Sequence, residues 1–283
     1  MQALYDVPAP AKLNLFLHIV GRRPDGYHLL QSAFMLIDWQ DTLHFERRAG
    51  GQLSREDLTV PLPADDLILR AARLLQAQTG CTRGAHITVR KEIPAQAGMG
   101  GGSSDAASCL LALNRLWGLG LHVQQLAAIG VQLGADVPFF LHGHNAWVEG
   151  IGEKITPIAL PPAQFVVIKP DAGLETAKIF AHPALRRDTK AATISGLART
   201  PFGFGHNDLQ AVAEQICPPV SHAIARLAAQ GLQGKMTGSG SAVFALLPQG
   251  QIWQQDPDLA QCQVQVCSNL DVHPLSGWAA SDN

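Results

Sequence analysis

Hydrophobic and polar positions follow two different periods along the chain. Residues 12–20, KLNLFLHIV, alternate between an aliphatic residue and a mostly polar one. This period of two predicts a strand with one core face and one partly polar face. Strand-like sequence also runs through residues 33–46, and alternation returns at residues 85–93, AHITVRKEI. Later in the chain, FVVIKP predicts a buried strand, and the apolar residues after GKMTGSGS predict another.

Other segments repeat their apolar residues every three or four positions, which predicts helices. The segment 65–80, DDLILRAARLLQAQTG, has this spacing and stops at Gly80. A second helix is predicted from about Ser104 to Trp117. The remaining predicted helices cover residues 123–133, 175–181, 207–216 and 219–230. Between them, NAWVEGIGEKITPI is typical of a hairpin.

Prolines interrupt the pattern just after this hairpin. Pro157, Pro161 and Pro162 indicate a domain boundary. We therefore expect an N-terminal domain of residues 1–156 and a C-terminal domain of residues 157–283. Strands and helices alternate in both halves, but hairpins are mixed in with them. This mixture favours a two-domain α+β protein over a doubly wound parallel sheet.

The composition bears on the class of protein and on its partners. The 283 residues are 47% hydrophobic and 16% charged, values typical of a globular protein with room for two domains. No apolar run is long enough to span a bilayer, and the N-terminus lacks the pattern of a signal peptide. The net charge of −2 predicts no broad basic surface for nucleic acid. The 5 cysteines are scattered and form no C-x-x-C pair, which is typical of reduced cytosolic thiols.

The strongest chemical signal is the stretch PAQAGMGGGSSDAA, residues 94–107. It joins a predicted strand to a predicted helix, which Ser103 or Ser104 is expected to cap. N–H groups at a helix N-terminus bind anions, and glycine lets a phosphate approach the backbone without meeting a Cβ atom. We therefore predict a polyphosphate site here. The alternative is a flexible turn that only caps a helix, but one or two glycines would suffice for that.

Other phosphate and nucleophile motifs do not match this stretch. A Walker A loop ends in Gly-Lys-Ser/Thr, whereas no lysine follows the glycines here. The dinucleotide spacing G-x-G-x-x-G fails because Ser103 stands where the last glycine belongs. The hydrolase elbow G-x-S-x-G is not present in it. A second loop of small residues, TGSGSA at positions 237–242, is a candidate second wall of the same pocket.

Two charged residues are candidates for catalysis, and each has a structural alternative. Lys12 begins the first predicted strand. It is either an edge lysine whose stem covers apolar surface or a fixed positive charge near the reacting group. Asp136 lies in LGADVPFF, where the spacing favours a helix N-cap followed by Pro138. The alternative is a carboxylate that takes a proton from an attacking hydroxyl, as kinases use.

Aromatic and imidazole side chains suggest further contacts. Tyr27 and His28 follow the turn RRPDG and either pack locally or stack on a flat ligand. His142 and His144 have no third ligand at a familiar metal-site spacing, so we interpret them as loop histidines.

With these residues in place, the chain resembles the GHMP kinases, the family of galactokinase, homoserine kinase and mevalonate kinase. The family hallmark is P-x-x-x-G-[LM]-G-[GS]-S-[SA], and PAQAGMGGGSSDAA is similar to it, with Met99 at the usual leucine position. Three further blocks extend the resemblance, in order, over nearly the whole chain. They are APAKLNLFLHIVGRRPDGYHLLQSAFMLID, LGADVPFFL and MTGSGSAVFAL. The first of them resembles the branch of the family that phosphorylates a methylerythritol carrying cytidine diphosphate.

The resemblance implies a fold, a reaction and a nucleotide site. Each domain is expected to be a mixed or antiparallel sheet packed with helices, with the active site in the cleft between the domains. ATP is expected to phosphorylate the 2-hydroxyl of the methylerythritol unit, in the non-mevalonate route to isoprenoid precursors. Lys12 and Asp136 match the catalytic pair, and Lys91 matches an adenine-side residue. The ATP phosphate loop matches Pro94, Ala95, Gln96, Ala97, Gly98, Met99, Gly100, Gly101, Gly102, Ser103 and Ser104.

The same resemblance implies the substrate side of the site. Tyr27 and His28 match the cytosine-binding pair, and Phe180, in ETAKIFAHP, matches a second aromatic residue against the base. Asn14 matches a residue near the erythritol. Thr176 matches a hydroxyl of the substrate pocket.

The chain departs from the family pattern at two positions. Asp66 stands where asparagine is usual, and Gln210 stands where glutamate is usual. Mg²⁺ is expected with ATP, held mainly by the nucleotide, and no residue is assigned to it.

Three other functions compete with this one. Another small-molecule kinase of the family is disfavoured by GRRPDGYH, and a non-catalytic ligand sensor of the same fold is disfavoured because Lys12 and Asp136 are both present. The third is a nucleotide-binding interaction module. We expect a cytoplasmic monomer or weak homodimer that acts on a small molecule with a cytidine diphosphate moiety, without nucleic-acid or membrane partners.

Overall fold

The computed structural model describes residues 1–280, which form two β-sheets and eight α-helices. The strands are β1 (Ala3–Arg22), β2 (His28–Arg48), β3 (Leu53–Asp57), β4 (Gly84–Arg90), β5 (Ala146–Gly150), β6 (Lys154–Pro157), β7 (Gln164–Lys169), β8 (Lys235–Met236), β9 (Val243–Leu247) and β10 (Gln263–Ser268). The helices are α1 (Leu67–Thr79), α2 (Gly101–Trp117), α3 (Val123–Gly130), α4 (Val137–His142), α5 (Thr176–Ala181), α6 (Ile194–Arg199), α7 (Gln210–Ile216) and α8 (Pro218–Ala229). A short 3₁₀ turn covers Pro257–Leu259.

Strands β1 and β2 form one long antiparallel hairpin. Both extend beyond the predicted segments, since their pairing continues through Pro8 and Pro10 with an irregular register. The partly polar face predicted for β1 is buried too, and the open edge of the strand bonds to distant segments. Lys12 N donates to Met99 O at 3.0 Å, and Leu17 N donates to His206 O at 2.9 Å.

The first sheet has the order β3-β4-β2-β5-β6, with β1 paired to β2. Only β3 and β4 are parallel among these pairs, so the sheet is mixed. Helices α1 to α4 share a hydrophobic core with this sheet, in which Phe45, Trp117 and Phe139 are buried. Burial of such large side chains is the main source of the stability of this half.

The second sheet is antiparallel, with the order β10-β7-β9-β8. Its Val166 and Ile168 share a core with α7 and α8. Phe165 and Val167, which alternate with them on β7, instead share a cluster with Met35 of the first sheet. The predicted α+β class is therefore confirmed, with one mixed and one antiparallel sheet.

The two sheets divide near the predicted boundary, but the end of the chain crosses back. Strand β6 ends at Pro157 and β7 begins at Gln164. After β10, Leu270 N donates to Leu36 O at 2.9 Å and His273 N donates to Gly143 O at 2.8 Å. Residues 281–283 of the expected second domain lie outside the described residues.

One predicted helix end is confirmed, and one predicted helix start is wrong. Helix α1 ends as predicted at Gly80, which has a φ of 66°. Helix α7 begins at Gln210, three residues later than predicted, because the side chain of Asn207 donates instead to Met236 O and Gly238 O. Helix α6 and strand β10 were not predicted. None of the helices within residues 1–280 is both long and apolar enough to cross a bilayer.

Candidate active site

The first glycine loop, residues 94–104, leads from β4 into α2. Gly98 and Gly100 have φ values of 72° and 71°, in the left-handed region that favours glycine. Gly100 occupies the N-cap position of α2, which has no side-chain cap. The predicted serine cap is therefore wrong, because Ser104 Oγ is buried and donates to Pro10 O at 2.7 Å. The first N–H groups of α2 have no intrahelical partner and lie at the positive end of its dipole.

The protein's own atoms fill much of the space beside these glycines. A Cβ atom on Gly98 would lie 2.2 Å from the carbonyl oxygen of Thr237. On Gly101 it would lie 3.0 Å from Ile93 Cγ2. Close packing of the chain therefore requires small residues here, whether or not a phosphate is bound. This reason for the glycines could not be predicted from the sequence.

The second glycine loop, residues 237–242, packs directly against the first. Ser241 N donates to Gln96 O at 3.1 Å, and Ala242 N donates to Ala97 O at 3.2 Å. Both loops line one cavity of about 680 Å³, so the predicted second wall is confirmed. Residues 94–103 line this first cavity, whereas Ser104 does not.

Lys12 and Asp136 lie together in the first cavity. Lys12 Nζ is 3.5 Å from Asp136 Oδ2, and the lysine is buried while about a third of the aspartate side chain is exposed. The same ammonium donates to Asn14 Oδ1 at 2.5 Å and lies 4.5 Å from the centroid of the Phe34 ring. The interpretation of Lys12 as a solvated edge lysine is therefore wrong. It is a buried cation held beside a carboxylate that faces the cavity.

The cap interpretation of Asp136 fails for the side chain. Asp136 occupies the N-cap position of α4, but its carboxylate makes no cap hydrogen bond. Its φ of −84° and ψ of −14° are helical, whereas a capping residue usually has an extended backbone that turns its side chain toward the helix N–H groups. The carboxylate is therefore available to a ligand and to Lys12.

Lys91 belongs to a buried charge cluster beside the first glycine loop. Its ammonium pairs with Asp41 and, at 2.5 Å, with Asp105. Burial lowers the pKa of Lys91, but the two carboxylates raise it and prevail. Burial raises the pKa of Asp105 to about 7. The ammonium lies near Gly101, at the N-terminus of α2.

Sequence reasoning missed Asp41 and Asp105, although a signal was present. Asp41 interrupts the apolar pattern of β2, and Asp105 follows the serines of the glycine loop. Asp41 is fully buried, and its Oδ1 accepts from Ile93 N at 2.8 Å. It thereby fixes the backbone that leads into the first glycine loop.

Both departures from the family pattern have structural partners. Asp66 caps α1, where its carboxylate accepts from the N–H groups of Ile68 and Leu69, and it pairs with Arg55. It also lines the first cavity. Gln210 lies outside that cavity, and its Oε1 accepts from Met236 N at 2.9 Å.

Three of the five predicted substrate residues line a second cavity of about 640 Å³. Tyr27, His28 and Phe180 line it, and the His28 and Phe180 rings have their centroids 5.0 Å apart. The two cavities share Leu30, Ile151 and Phe180 as lining residues. They are therefore neighbours, and one elongated ligand could enter both.

Two further predicted residues lie in the first cavity. Asn14 is buried, and its Nδ2 donates to Ser32 Oγ at 2.9 Å. The hydroxyls of Thr176 and Ser239 are hydrogen-bonded at 2.7 Å, which joins α5 to the second glycine loop.

The residues present do not form a ready site for a metal ion. Within residues 1–280, no three His, Cys, Asp or Glu side chains are grouped so that they could hold one. Asp136 and the exposed Asp65 offer carboxylates to the first cavity, and Asp105 has one buried oxygen, Oδ1, without a hydrogen-bond partner. An ion here would need most of its ligands from a bound nucleotide.

Comparison with known families gives two matches, one in each half of the chain. The model of the GHMP kinases N terminal domain matches residues 66–144. The model of the GHMP kinases C terminal domain matches residues 185–270.

Curated relatives match along the whole chain. The 4-diphosphocytidyl-2-C-methyl-D-erythritol kinase of Variovorax paradoxus (strain S110) is 63% identical over 298 residues, which cover 99% of this chain and 100% of the relative. The protein of the same name from Acidovorax sp. (strain JS42) is 64% identical over 282 residues, covering 98% and 99% of the two chains.

Solved structures share the fold. A crystal structure of 4-(cytidine 5'-diphospho)-2C-methyl-D-erythritol kinase matches with a TM-score of 0.75 and 33% identity, covering 93% of this chain and 98% of that one. The mevalonate kinase of Methanococcus jannaschii matches with a TM-score of 0.65 at 13% identity, covering 95% and 98%. At that identity the second match concerns the fold alone.

Proposed function

Since the chain belongs to the GHMP kinase family, and within it to the 4-diphosphocytidyl-2-C-methyl-D-erythritol kinases, we propose that it phosphorylates that cytidyl compound with ATP. The acceptor is the 2-hydroxyl of the methylerythritol unit, and the reaction belongs to the non-mevalonate route to isoprenoid precursors. The observation that carries this proposal is the position of Lys12 and Asp136 in a cavity that adjoins a second, aromatic one.

We propose that the phosphates of ATP bind at the first glycine loop. The unpaired N–H groups of α2 and the positive end of its dipole stabilise negative charge on the transferring phosphoryl group. We propose that Lys91 lies on the adenine side of the nucleotide, near Gly101, where its ammonium is held by Asp41 and Asp105. Mg²⁺ bound with ATP would neutralise the phosphates further, held mainly by the nucleotide.

Asp136 accepts the proton of the substrate hydroxyl. The hydroxyl oxygen then forms its bond to the γ-phosphorus, while the bond from that phosphorus to the departing ADP oxygen breaks. The Lys12 ammonium, 3.5 Å from the carboxylate, stabilises negative charge on the reacting oxygen. Asn14 holds the lysine ammonium through its Oδ1 and faces the erythritol.

The cytidyl end of the substrate occupies the second cavity. We propose that Tyr27 stacks on the base and that His28 and Phe180, which line the same cavity, also contact it. Thr176 contributes a hydroxyl near the junction of the cavities. Three of these side chains are aromatic rings or imidazole, which supports a flat ligand there.

We further propose that the N-terminal domain comprises residues 1–156 and the C-terminal domain residues 157–283. The break between β6 and β7 and the separate matches of the two family models support this division. The proposed compartment is the cytoplasm, where ATP is available, and the proposed state is a monomer or weak homodimer without nucleic-acid or membrane partners.

The experiment measures release of ADP from ATP by the purified protein, with and without 4-diphosphocytidyl-2-C-methyl-D-erythritol. We expect release that depends on this substrate and a product with one additional phosphate by mass spectrometry. Mevalonate and homoserine serve as controls and should give only background release. Release with one of them, or nucleotide binding without substrate-dependent release, would replace the proposal by another kinase of the family or by a non-catalytic sensor.

A further inference from the structure

Two residues that line the second cavity, His28 and Phe180, are hydrogen-bonded to an arginine that the mechanism does not use. The guanidinium of Arg187 makes four hydrogen bonds. Its Nη1 donates to Leu185 O at 2.9 Å, and its Nη2 donates to Phe180 O and His182 O at 3.0 Å each. Its Nε donates to His28 Nε2 at 3.1 Å. One planar fork thus joins the two segments that carry His28 and Phe180.

The carbonyl bonds fix the end of the helix that presents Phe180. Helix α5 ends at Ala181, and the carbonyl groups of a last turn have no partner within their helix. Arg187 satisfies that of Phe180 and, just beyond the helix, that of His182. A positive charge at this end also complements the helix dipole.

The fourth bond determines the protonation of His28. Because Nε2 accepts a hydrogen bond from an arginine, the neutral ring must carry its proton on Nδ1. Burial, followed by the charges of Arg187 and Arg22, lowers the pKa of His28. Asp25, which also lines the cavity, pairs with Arg23 at 2.6 Å. The imidazole is therefore neutral near pH 7 and has one fixed tautomer.

We propose that Arg187 is a positioning residue for the cytidyl group, which holds His28 in its Nδ1-protonated form and fixes the His28 and Phe180 rings as one preformed wall. The inference rests on the proposed function, since that function places the cytidyl group between these rings. A wall that is rigid before binding loses less conformational entropy when the ligand enters. Arg187 therefore acts on affinity for the cytidyl substrate, and leaves the phosphoryl transfer itself unchanged.

The kinetic test compares Arg187→Met with the neighbouring Arg186→Met. Methionine keeps an unbranched stem but has no donor, and Arg186 is exposed and pairs only weakly, at 3.3 Å, with Asp188. We expect Arg187→Met to raise KM for the cytidyl substrate by about tenfold, with KM for ATP changed by less than about twofold. Arg186→Met should leave both constants at their wild-type values.

The pH dependence gives a second readout. In Arg187→Met the pKa of the imidazole should rise, because the charge of Arg187 is lost while the burial of the ring remains, so KM for the cytidyl substrate should rise more steeply on acidification than in the wild type. In the wild-type protein that constant should depend less on pH, because the lowered pKa keeps a larger share of His28 neutral at any given pH.

The tautomer is measured directly on the free protein by nitrogen NMR with labelled histidine, using His28→Gln to assign the signal. We expect a protonated Nδ1 and an accepting Nε2 in the wild type, and a mixture of tautomers in Arg187→Met. An unchanged tautomer, or equal losses for both substrates, would overturn the inference and leave Arg187 with a folding role only. If the wild-type protein shows no substrate-dependent turnover, the proposed function fails, while the NMR result still decides what Arg187 does to His28.

Discussion

Lys12 Nζ lies 3.5 Å from Asp136 Oδ2, although one residue belongs to the first strand and the other precedes α4. The lysine is buried and the aspartate faces the first cavity. A buried ammonium is stable only when it is paired and hydrogen-bonded, and Asn14 provides the second partner. The pair is thus fixed before any ligand binds, which is the condition for electrostatic catalysis without reorganisation.

Replacing Lys12 by methionine tests whether the positive charge of its ammonium contributes to catalysis. The unbranched stem is kept, and only the ammonium, which lies 4.5 Å from the centroid of the Phe34 ring, is lost. We expect kcat to fall by about 10²–10³, the usual loss when one stabilising donor is removed from a transition state. Melting temperature and ATP affinity should change little, and the exposed Lys154→Met serves as control. A kcat within about threefold of wild type would return Lys12 to a packing role.

The contact between the two glycine loops predicts an asymmetry between two glycines. Gly98 and Gly120 both have left-handed φ values, of 72° and 69°, so alanine costs each about 1–2 kcal/mol in backbone strain. A Cβ on Gly98 would also lie 2.2 Å from the backbone of Thr237, whereas nothing lies within 4 Å of one on Gly120.

Calorimetric titration with ATP and thermal melting should separate these variants. Gly120→Ala should lower the melting temperature slightly and keep the affinity for ATP. Gly98→Ala should lower the melting temperature further and weaken ATP binding by more than about tenfold, since the loops must separate. Equal behaviour of the two would show that contact between the loops does not shape the nucleotide site.

Tyr27, which lines the second cavity, and Tyr5, which does not, form a matched pair for substitution. Tyr27 and Tyr5 are each 61% exposed, so alanine at either position should cost little stability. Stacking on a base is worth about 1–3 kcal/mol, so Tyr27→Ala should raise KM for the cytidyl substrate by roughly 5- to 150-fold. KM for ATP should stay unchanged, and Tyr5→Ala should change neither constant. Similar effects of Tyr27→Ala on both substrates would remove it from the cytidyl site.

The sequence permitted prediction of those elements whose periodicity is local. Helix α1 and its stop at Gly80 follow from spacing and a glycine, and the hairpin of β5 and β6 follows from alternation around turn residues. Strand β10 was missed although its valines alternate with glutamines, a pattern that is weak because most of the strand is not buried. Helix α6 was missed because its six residues are too few to show a helical period.

The candidate site likewise has features that could be predicted from the sequence and features that could not. Small residues at a helix entrance identify the first glycine loop, because the required φ values exclude most other residues. The roles of Lys12 and Asp136 depended instead on burial and side-chain direction, which spacing leaves open. Arg187 lies in a charged stretch typical of a loop, and its fork of hydrogen bonds exists only once α5 and His28 meet.

The returning C-terminal segment predicts a dependence of stability on pH. Burial alone lowers the pKa of His273 to about 4, and the ring is 1% exposed. In the unfolded chain His273 therefore binds a proton as the pH falls through about 6.5, whereas in the folded protein it does so only near pH 4. The contribution of this histidine to stability is complete above pH 6.5 and is lost progressively as the pH falls to about 4.

Melting curves across this range check the effect. The wild-type melting temperature should fall more steeply with acidification than that of His273→Asn, whose amide oxygen can replace Nδ1 as acceptor for Leu275 N. The difference corresponds to up to about 3 kcal/mol, from roughly 1.4 kcal/mol per pKa unit. Parallel curves for the two proteins would show that His273 does not resist protonation.

Asp136→Asn removes the carboxylate that we propose takes the proton of the acceptor hydroxyl, and kcat of this variant decides whether it does so. Asparagine has the same size and cannot accept the proton, and since the side chain makes no cap hydrogen bond, the melting temperature should hardly change. Binding of ATP should survive, because the first glycine loop is a separate element. We expect kcat for the cytidyl substrate to fall by about 10²–10⁴, the usual contribution of a positioned acid–base group. A folded, nucleotide-binding variant that keeps more than about a tenth of wild-type kcat would contradict the account, since that loss falls short of the range for such a group.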